Sequence, residues 1–110
     1  MVNSADPLDR VFSALADGTR REVLAALSRG DRTIGELAAP HPMSLVAVSK
    51  HIGVLERAGL LTRSRRGRAH LCTLTPTPLA HAAGWLEDYE RFWTDKLDAL
   101  ERHLTEGTDR

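Results

Sequence analysis

Val48-Ser49-Lys50-His51-Ile52-Gly53-Val54-Leu55-Glu56-Arg57-Ala58-Gly59-Leu60-Leu61 is the stretch that decides how this chain folds. Val48, Ile52 and Leu55 recur at spacings of four and three, which puts them on one face of a helix. Ser44 stands where an N-cap belongs and Gly59 where a helix closes. The opposite face carries Ser49, Lys50 and Arg57. Small polar and basic side chains on a short helix suit the major groove of DNA, where they meet base edges and phosphates. The same spacing fits a small helical core with an ordinary solvated face.

The next residues weigh on that choice. Leu60-Leu61-Thr62-Arg63-Ser64 and Ala69-His70-Leu71-Cys72-Thr73-Leu74 read as two extended runs around a turn at Arg65-Arg66-Gly67-Arg68, a β-hairpin. Arg63, Arg65, Arg66 and Arg68 crowd four guanidinium groups into six residues. Their mutual repulsion costs stability unless an anion gathers them, and a duplex supplies a regular row of phosphates. A merely solvated loop is the alternative, since charge runs usually need no partner.

Upstream, Leu8, Val11, Phe12 and Leu15 share one face of a helix that Asp6-Pro7 starts and Asp17-Gly18 ends. Thr19 with Glu22, and Thr33 with Glu36, each have capping-box spacing. They predict helices from Thr19 to Ser28 and from Ile34 to about Ala39, the second ended by Pro40-His41-Pro42. Downstream, Thr77-Pro78 opens a long helix with Leu79, Ala82, Leu86, Tyr89, Trp93, Leu97, Leu100 and Leu104 three and four apart. From Pro78 to Leu104 it would be roughly 40 Å long. With Trp85 and Phe92 it carries more apolar area than a chain of 110 residues easily covers. Burial against a second copy accounts for this most simply, with Phe12 and Leu15 packing beside it. Covering the protein's own core and lining an aromatic effector pocket are the alternatives.

The formal net charge is zero, from 15 basic and 15 acidic side chains. That total counts against a polyanion partner, but its distribution does not. Residues 50–70 hold Lys50, Arg57, Arg63, Arg65, Arg66 and Arg68 against Glu56 alone, net +5. Residues 87–110 hold four basic and eight acidic side chains, net −4. The acidic helix would turn DNA toward the basic middle. A lone cysteine, Cys72, makes no intramolecular disulfide and reads as a small buried hydrophobe. The first residues lack a basic-then-apolar leader, and no apolar run approaches the roughly 18 residues of a membrane span, so a cytoplasmic protein without a membrane partner is expected. No Ser/His/Asp order, glycine-rich phosphate loop or paired carboxylates in a perturbing setting argues for an enzyme.

Leu15-Ala16-Asp17-Gly18-Thr19-Arg20-Arg21-Glu22-Val23-Leu24, Ile34-Gly35-Glu36-Leu37-Ala38, Val48-Ser49-Lys50-His51-Ile52 and Leu55-Glu56-Arg57-Ala58-Gly59-Leu60-Leu61 together resemble the ArsR family of winged helix-turn-helix transcriptional regulators. The similarity runs in order from about Leu8 to Leu104. It implies a mainly α fold with a small β-hairpin wing: two helices, a short strand, two more helices, the hairpin and a last helix. It implies one DNA-binding domain over 1–110, with 6–16 and 78–104 as dimerisation helices. The implied function is a homodimeric repressor of its own operon, binding an inverted-repeat operator in double-stranded DNA through helix 44–58 and wing 60–74. Ser44, Leu45, Val46, Ser49 and Lys50 would face the groove, with His51 at the helix edge toward the core and backbone and Arg57 nearby. Arg63, Arg65, Arg66 and Arg68 would follow phosphate or enter the minor groove. Phe12, Leu15, Leu79, Trp85, Leu86, Tyr89, Trp93, Leu97 and Leu100 would form the dimer contact.

Two departures bear on affinity. Leu45-Val46 offers only apolar contacts where the family often has Gln, and Gly53 replaces a frequent basic residue, which moves weight onto the wing. The family's metal sites are also altered. Thr33 and Gly35 stand where one motif has Cys-x-Cys, and Asp88-Tyr89-Glu90 with Glu101-Arg102-His103-Leu104 only shadow the carboxylate and imidazole set of another. A metal-independent member with no cofactor is the expectation. A protein-interaction module built on the aromatic last helix, or a sensor with a small-molecule pocket at the dimer interface, remain the alternatives.

Overall fold

The computed structural model of the chain describes residues 6–108. Met1–Ala5 and Asp109–Arg110, which the expected 1–110 domain includes, lie outside the described residues. Helix α1 (Pro7–Leu15) starts as expected: the Asp6 carboxylate accepts the Leu8 N–H at 2.8 Å and Pro7 sits in the first turn. Helix α2 (Gly18–Leu27) starts differently. The cap is Asp17, whose carboxylate accepts the Arg20 N–H at 3.1 Å, so Gly18 opens this helix and Thr19 lies inside it. An ionised carboxylate is a stronger acceptor for a helix N-terminal N–H than a hydroxyl, and it stands two residues earlier.

Strand β1 (Arg32–Thr33) leads into α3 (Ile34–Ala38) through the predicted reciprocal cap. The Thr33 hydroxyl accepts the Glu36 N–H at 3.1 Å, and the Glu36 carboxylate accepts the Thr33 N–H at 2.9 Å. Helix α4 (Leu45–Arg57) is capped by Ser44, whose hydroxyl accepts the Ala47 N–H at 3.1 Å. It closes at Gly59, which takes φ of +78°. There the Gly59 N–H donates to the Glu56 carbonyl and the Leu60 N–H to the Leu55 carbonyl, both at 3.0 Å. This paired ending buries Leu60 against Leu55 and aims the chain back under α4.

Strands β2 (Leu61–Arg66) and β3 (Ala69–Leu74) form the antiparallel hairpin, and β1 adds to β3 for a sheet order of β1-β3-β2. The turn is shorter than expected. Arg66 pairs with Ala69, so Arg65 and Arg66 belong to the strand and only Gly67 and Arg68 make the turn. Gly67 adopts φ of +61°, the left-handed conformation that lets two residues reverse a hairpin. Helix α5 (Thr77–Thr108) begins one residue before the expected start, because the Pro76 carbonyl takes the first helical bond from Ala80. Its 32 residues make it about 48 Å long.

The core runs from Val11 to Ala82 and is entirely apolar, with Ile52, Leu55, Leu60 and Leu61 its largest fully buried side chains. Beyond Trp85, which still meets Phe12 of α1, the apolar residues of α5 are exposed, and the molecule measures 74 × 29 × 25 Å. No helix among the described residues is long and apolar enough to cross a membrane.

Candidate nucleic-acid interface

Val48, Ile52 and Leu55 are fully buried, which pins α4 against α2 and α3 and turns its other side outward. On that side Leu45 and Val46 are 56% and 66% exposed, an unusual display for aliphatic side chains, and Lys50 and Arg57 are exposed beside them. Val46, Ser49, Lys50, Gly53, Val54, Arg57 and Arg63 line one open concavity. A Cβ added at Gly53 would stand 3.3 Å from the Arg57 guanidinium. The Arg57 guanidinium thus lies over position 53, one turn back along the helix. Ser44 spends its hydroxyl oxygen as an acceptor on the helix cap.

Position along the wing separates the four arginines: Arg63 and Arg65 share one face of β2, Arg66 lies on the other, and Arg68 is in the turn. Arg63 pairs with the buried Cys72 in the ladder, on the face turned to α4, and its guanidinium meets Glu56 at 2.7 and 3.2 Å. That pair holds the Glu56 carboxyl below its usual range and raises Arg63 further. Arg63, expected among the phosphate contacts, thus also ties the wing to the helix, while its side chain stays 29% exposed. Arg65, Arg66 and Arg68 are exposed farther out, with the Arg65 Nε donating to the Gly67 carbonyl at 3.2 Å. Burial pushes the Cys72 thiol up, so it stays protonated as a packed apolar group.

His51, also expected near DNA, sits at the inner edge of α4. Its Nδ1 lies 3.1 Å from the Arg20 guanidinium and 3.7 Å from the Asp17 carboxylate. Arg20 and Arg21 together satisfy the last carbonyls of α1: Arg20 bonds Ala14 at 2.7 Å and Ser13 at 3.1 Å, and Arg21 bonds Leu15 at 2.7 Å. The cap on Arg20 keeps the Asp17 carboxyl low, because its largest influence is the Arg20 backbone N–H. The sequence reading missed these arginines, although two cations just after a helix end are a signal for such a cap.

A family described as a helix-turn-helix domain matches residues 15–64. Over 102 residues the chain is 40% identical to the HTH-type transcriptional regulator Rv2034 of Mycobacterium tuberculosis, covering 92% of each. It is 30% identical over 82 residues to the transcriptional repressor SdpR of Bacillus subtilis, covering 74% of this chain and 91% of the relative. The crystal structure of an ArsR family transcriptional regulator, RHA00566, matches with a TM-score of 0.76 and 39% identity, over 81% of this chain and 98% of that one. The chain belongs to the ArsR family. As an ArsR-family protein it is a DNA-binding regulator of transcription and not an enzyme.

The element order of this ArsR-family chain is the expected one, the short strand included. Its last helix carries an aromatic ladder that starts on α1. Phe12 meets Trp85 edge-on at 5.8 Å, Trp85 stacks on Tyr89 at 5.2 Å, and Tyr89 meets Trp93 at 5.9 Å. Of the residues expected at a dimer contact, Phe12, Leu15 and Leu79 are partly buried against the chain's own core. Trp85, Leu86, Tyr89, Trp93, Leu97 and Leu100 are exposed. Where the family's Cys-x-Cys motif would fall, Thr33 works as a helix cap. Among the described residues no three His, Cys, Asp or Glu side chains gather closely enough to hold a metal ion.

Proposed function

We propose that this chain is a homodimeric, metal-independent repressor acting as a single domain. It would seat α4 of each protomer in the major groove of an inverted-repeat operator, its own promoter included. Leu45, Val46, Ser49 and Lys50 would meet base edges, while Arg57, Arg65, Arg66 and Arg68 bind phosphate. The observation that carries this reading is the continuous exposed surface of α4 and wing, where basic side chains frame two bare aliphatic ones. The repressor SdpR supports the sign of regulation. Among the described residues, eight of the ten exposed large hydrophobic ones lie on α5, which supports pairing with a second copy.

Fluorescence anisotropy on a duplex from its own promoter region, repeated across salt, tests this. A dimer neutralising about 6 to 10 phosphates should give a log-log slope of about −5 to −9. A flat slope, or no binding, would leave the protein-interaction reading in its place.

One observation favours regulation by a small apolar ligand. A cavity of about 430 Å³ lies between α1, the end of α4 and the start of α5, lined by Leu8, Val11, Ala58, Pro78 and Trp85 with His81 at its edge. A compound that fills it should raise the melting midpoint and change DNA affinity together.

A further inference from the structure

Arg20 stands in the first turn of α2, and its side chain turns back across the end of α1. Two of its N–H groups are taken by the Ala14 and Ser13 carbonyls, and a third points at His51 Nδ1 from 3.1 Å. Arginine has only donors, so Nδ1 must accept. A neutral imidazole that accepts at Nδ1 carries its proton on Nε2. The Asp17 carboxylate, 3.7 Å from Nδ1, is too distant to claim a proton there and is already bonded to the Arg20 backbone N–H.

The other ring nitrogen has no partner among the described residues, yet no side-chain nitrogen or oxygen there is both buried and unsatisfied. Nε2–H is therefore open to solvent, on a side chain only 23% exposed. His51 follows Lys50 at the middle of α4 and shares its side with Ala47 and Ser44, toward the N-terminal end that the DNA-binding reading places in the groove. An oriented donor with its ring held from behind is preorganised for an anionic acceptor.

We propose that His51 donates its Nε2–H to a phosphate oxygen of bound DNA, and that Arg20 is the positioning residue that fixes this tautomer while holding the end of α1. The contact rests on the DNA-binding reading above and adds to it a neutral anchor among cationic ones. A neutral donor releases no counterion, so its loss lowers affinity without changing the salt slope. It reads no base, so its loss acts equally on all sequences.

Glutamine can place an amide N–H where Nε2 stands, whereas asparagine reaches only the Nδ1 position. On both the promoter duplex and a random duplex of equal length, His51→Gln should bind within about threefold of wild type. His51→Asn and His51→Ala should bind about tenfold more weakly, with the salt slope unchanged. Imidazole nitrogen NMR at about pH 8, where an ordinary histidine is neutral, should report the Nε2–H form in the free protein and a tautomer mixture in Arg20→Ala. His51→Asn binding as tightly as His51→Gln, or a spectrum dominated by Nδ1–H, overturns the proposal. Should Arg20→Ala not fold, the glutamine and asparagine variants decide alone. Loss of all DNA binding by wild type would overturn the DNA reading itself, whereas wild-type binding that His51→Asn leaves intact overturns this contact only.

Discussion

Helix α4 and the outer two-thirds of α5 carry the same pattern, apolar residues three and four apart, and meet opposite surroundings. In α4, Val48, Ile52 and Leu55 have no exposed surface at all. In α5, Leu86, Tyr89, Trp93, Leu97 and Leu100 are 45% to 59% exposed. A periodic apolar face states that burial is needed and leaves open against what. Around α4, two short helices and a hairpin close within one chain. Past Trp85, which Phe12 of α1 still meets, the large apolar residues of α5 are all exposed, which is the face that the proposed pairing with a second copy would cover.

The sharpest way to break this comparison is truncation in both places. Leu55→Ala should cost about 2–5 kcal/mol in urea unfolding at any protein concentration. Leu97→Ala should lower the midpoint only where wild type is dimeric; an equal loss in dilute monomer would mean that α5 is covered from within. Next in size, Trp93→Asp should weaken self-association by about 2 kcal/mol or more, roughly thirtyfold, in sedimentation. A wild-type protein that sediments as a monomer at micromolar concentration would remove the account of α5.

The DNA-facing side should divide further. Arg66→Ala should weaken binding to all sequences and lower the magnitude of the salt slope by about 0.9 for each phosphate that is no longer neutralised. Lys50→Ala should instead shift which sequence is preferred, as judged by selection from a random pool. A reversed pattern would mean that the wing, not α4, reads bases.

The smallest expected effect belongs to the strut between helix and wing. Glu56→Gln should cost at most about 1 kcal/mol, because both partners are partly solvated. The folded-state Glu56 carboxyl lies below its ordinary 4.5, so its contribution is present above that value and is lost as pH falls through the lower folded one. The gap between wild type and Glu56→Gln should accordingly close in acid; a gap that persists there would assign the cost to packing rather than charge.

Much of this was legible in the residues because it depends on near neighbours. The caps at Asp6, Ser44 and Thr33 with Glu36, and the closing glycine at 59, join groups two to five residues apart. Where two local signals competed, the reading slipped: Asp17 outcompeted Thr19 for the start of α2, and Gly67 shortened the hairpin turn. The site was legible as a set of residues and not as a division of labour. Arg63 looks like Arg65 and Arg66 along the chain, yet only Arg63 meets Glu56: Arg66 lies on the other strand face, and Arg65, on the same face, stands two residues farther out and donates to the Gly67 carbonyl. His51 looks like one more polar residue on α4, and Arg20, 31 residues away, gives it its partner.

By itself, the sequence determined where helices begin and end, which faces are apolar and where positive charge gathers, because caps, glycines and periodicity act over a turn or two. The tertiary structure alone decided which cations remain available to DNA and which are spent inside the chain. It also decided which apolar face stays exposed. Those outcomes depend on distances between groups far apart in sequence, and only the packing of α1, α2 and the hairpin around α4 sets them.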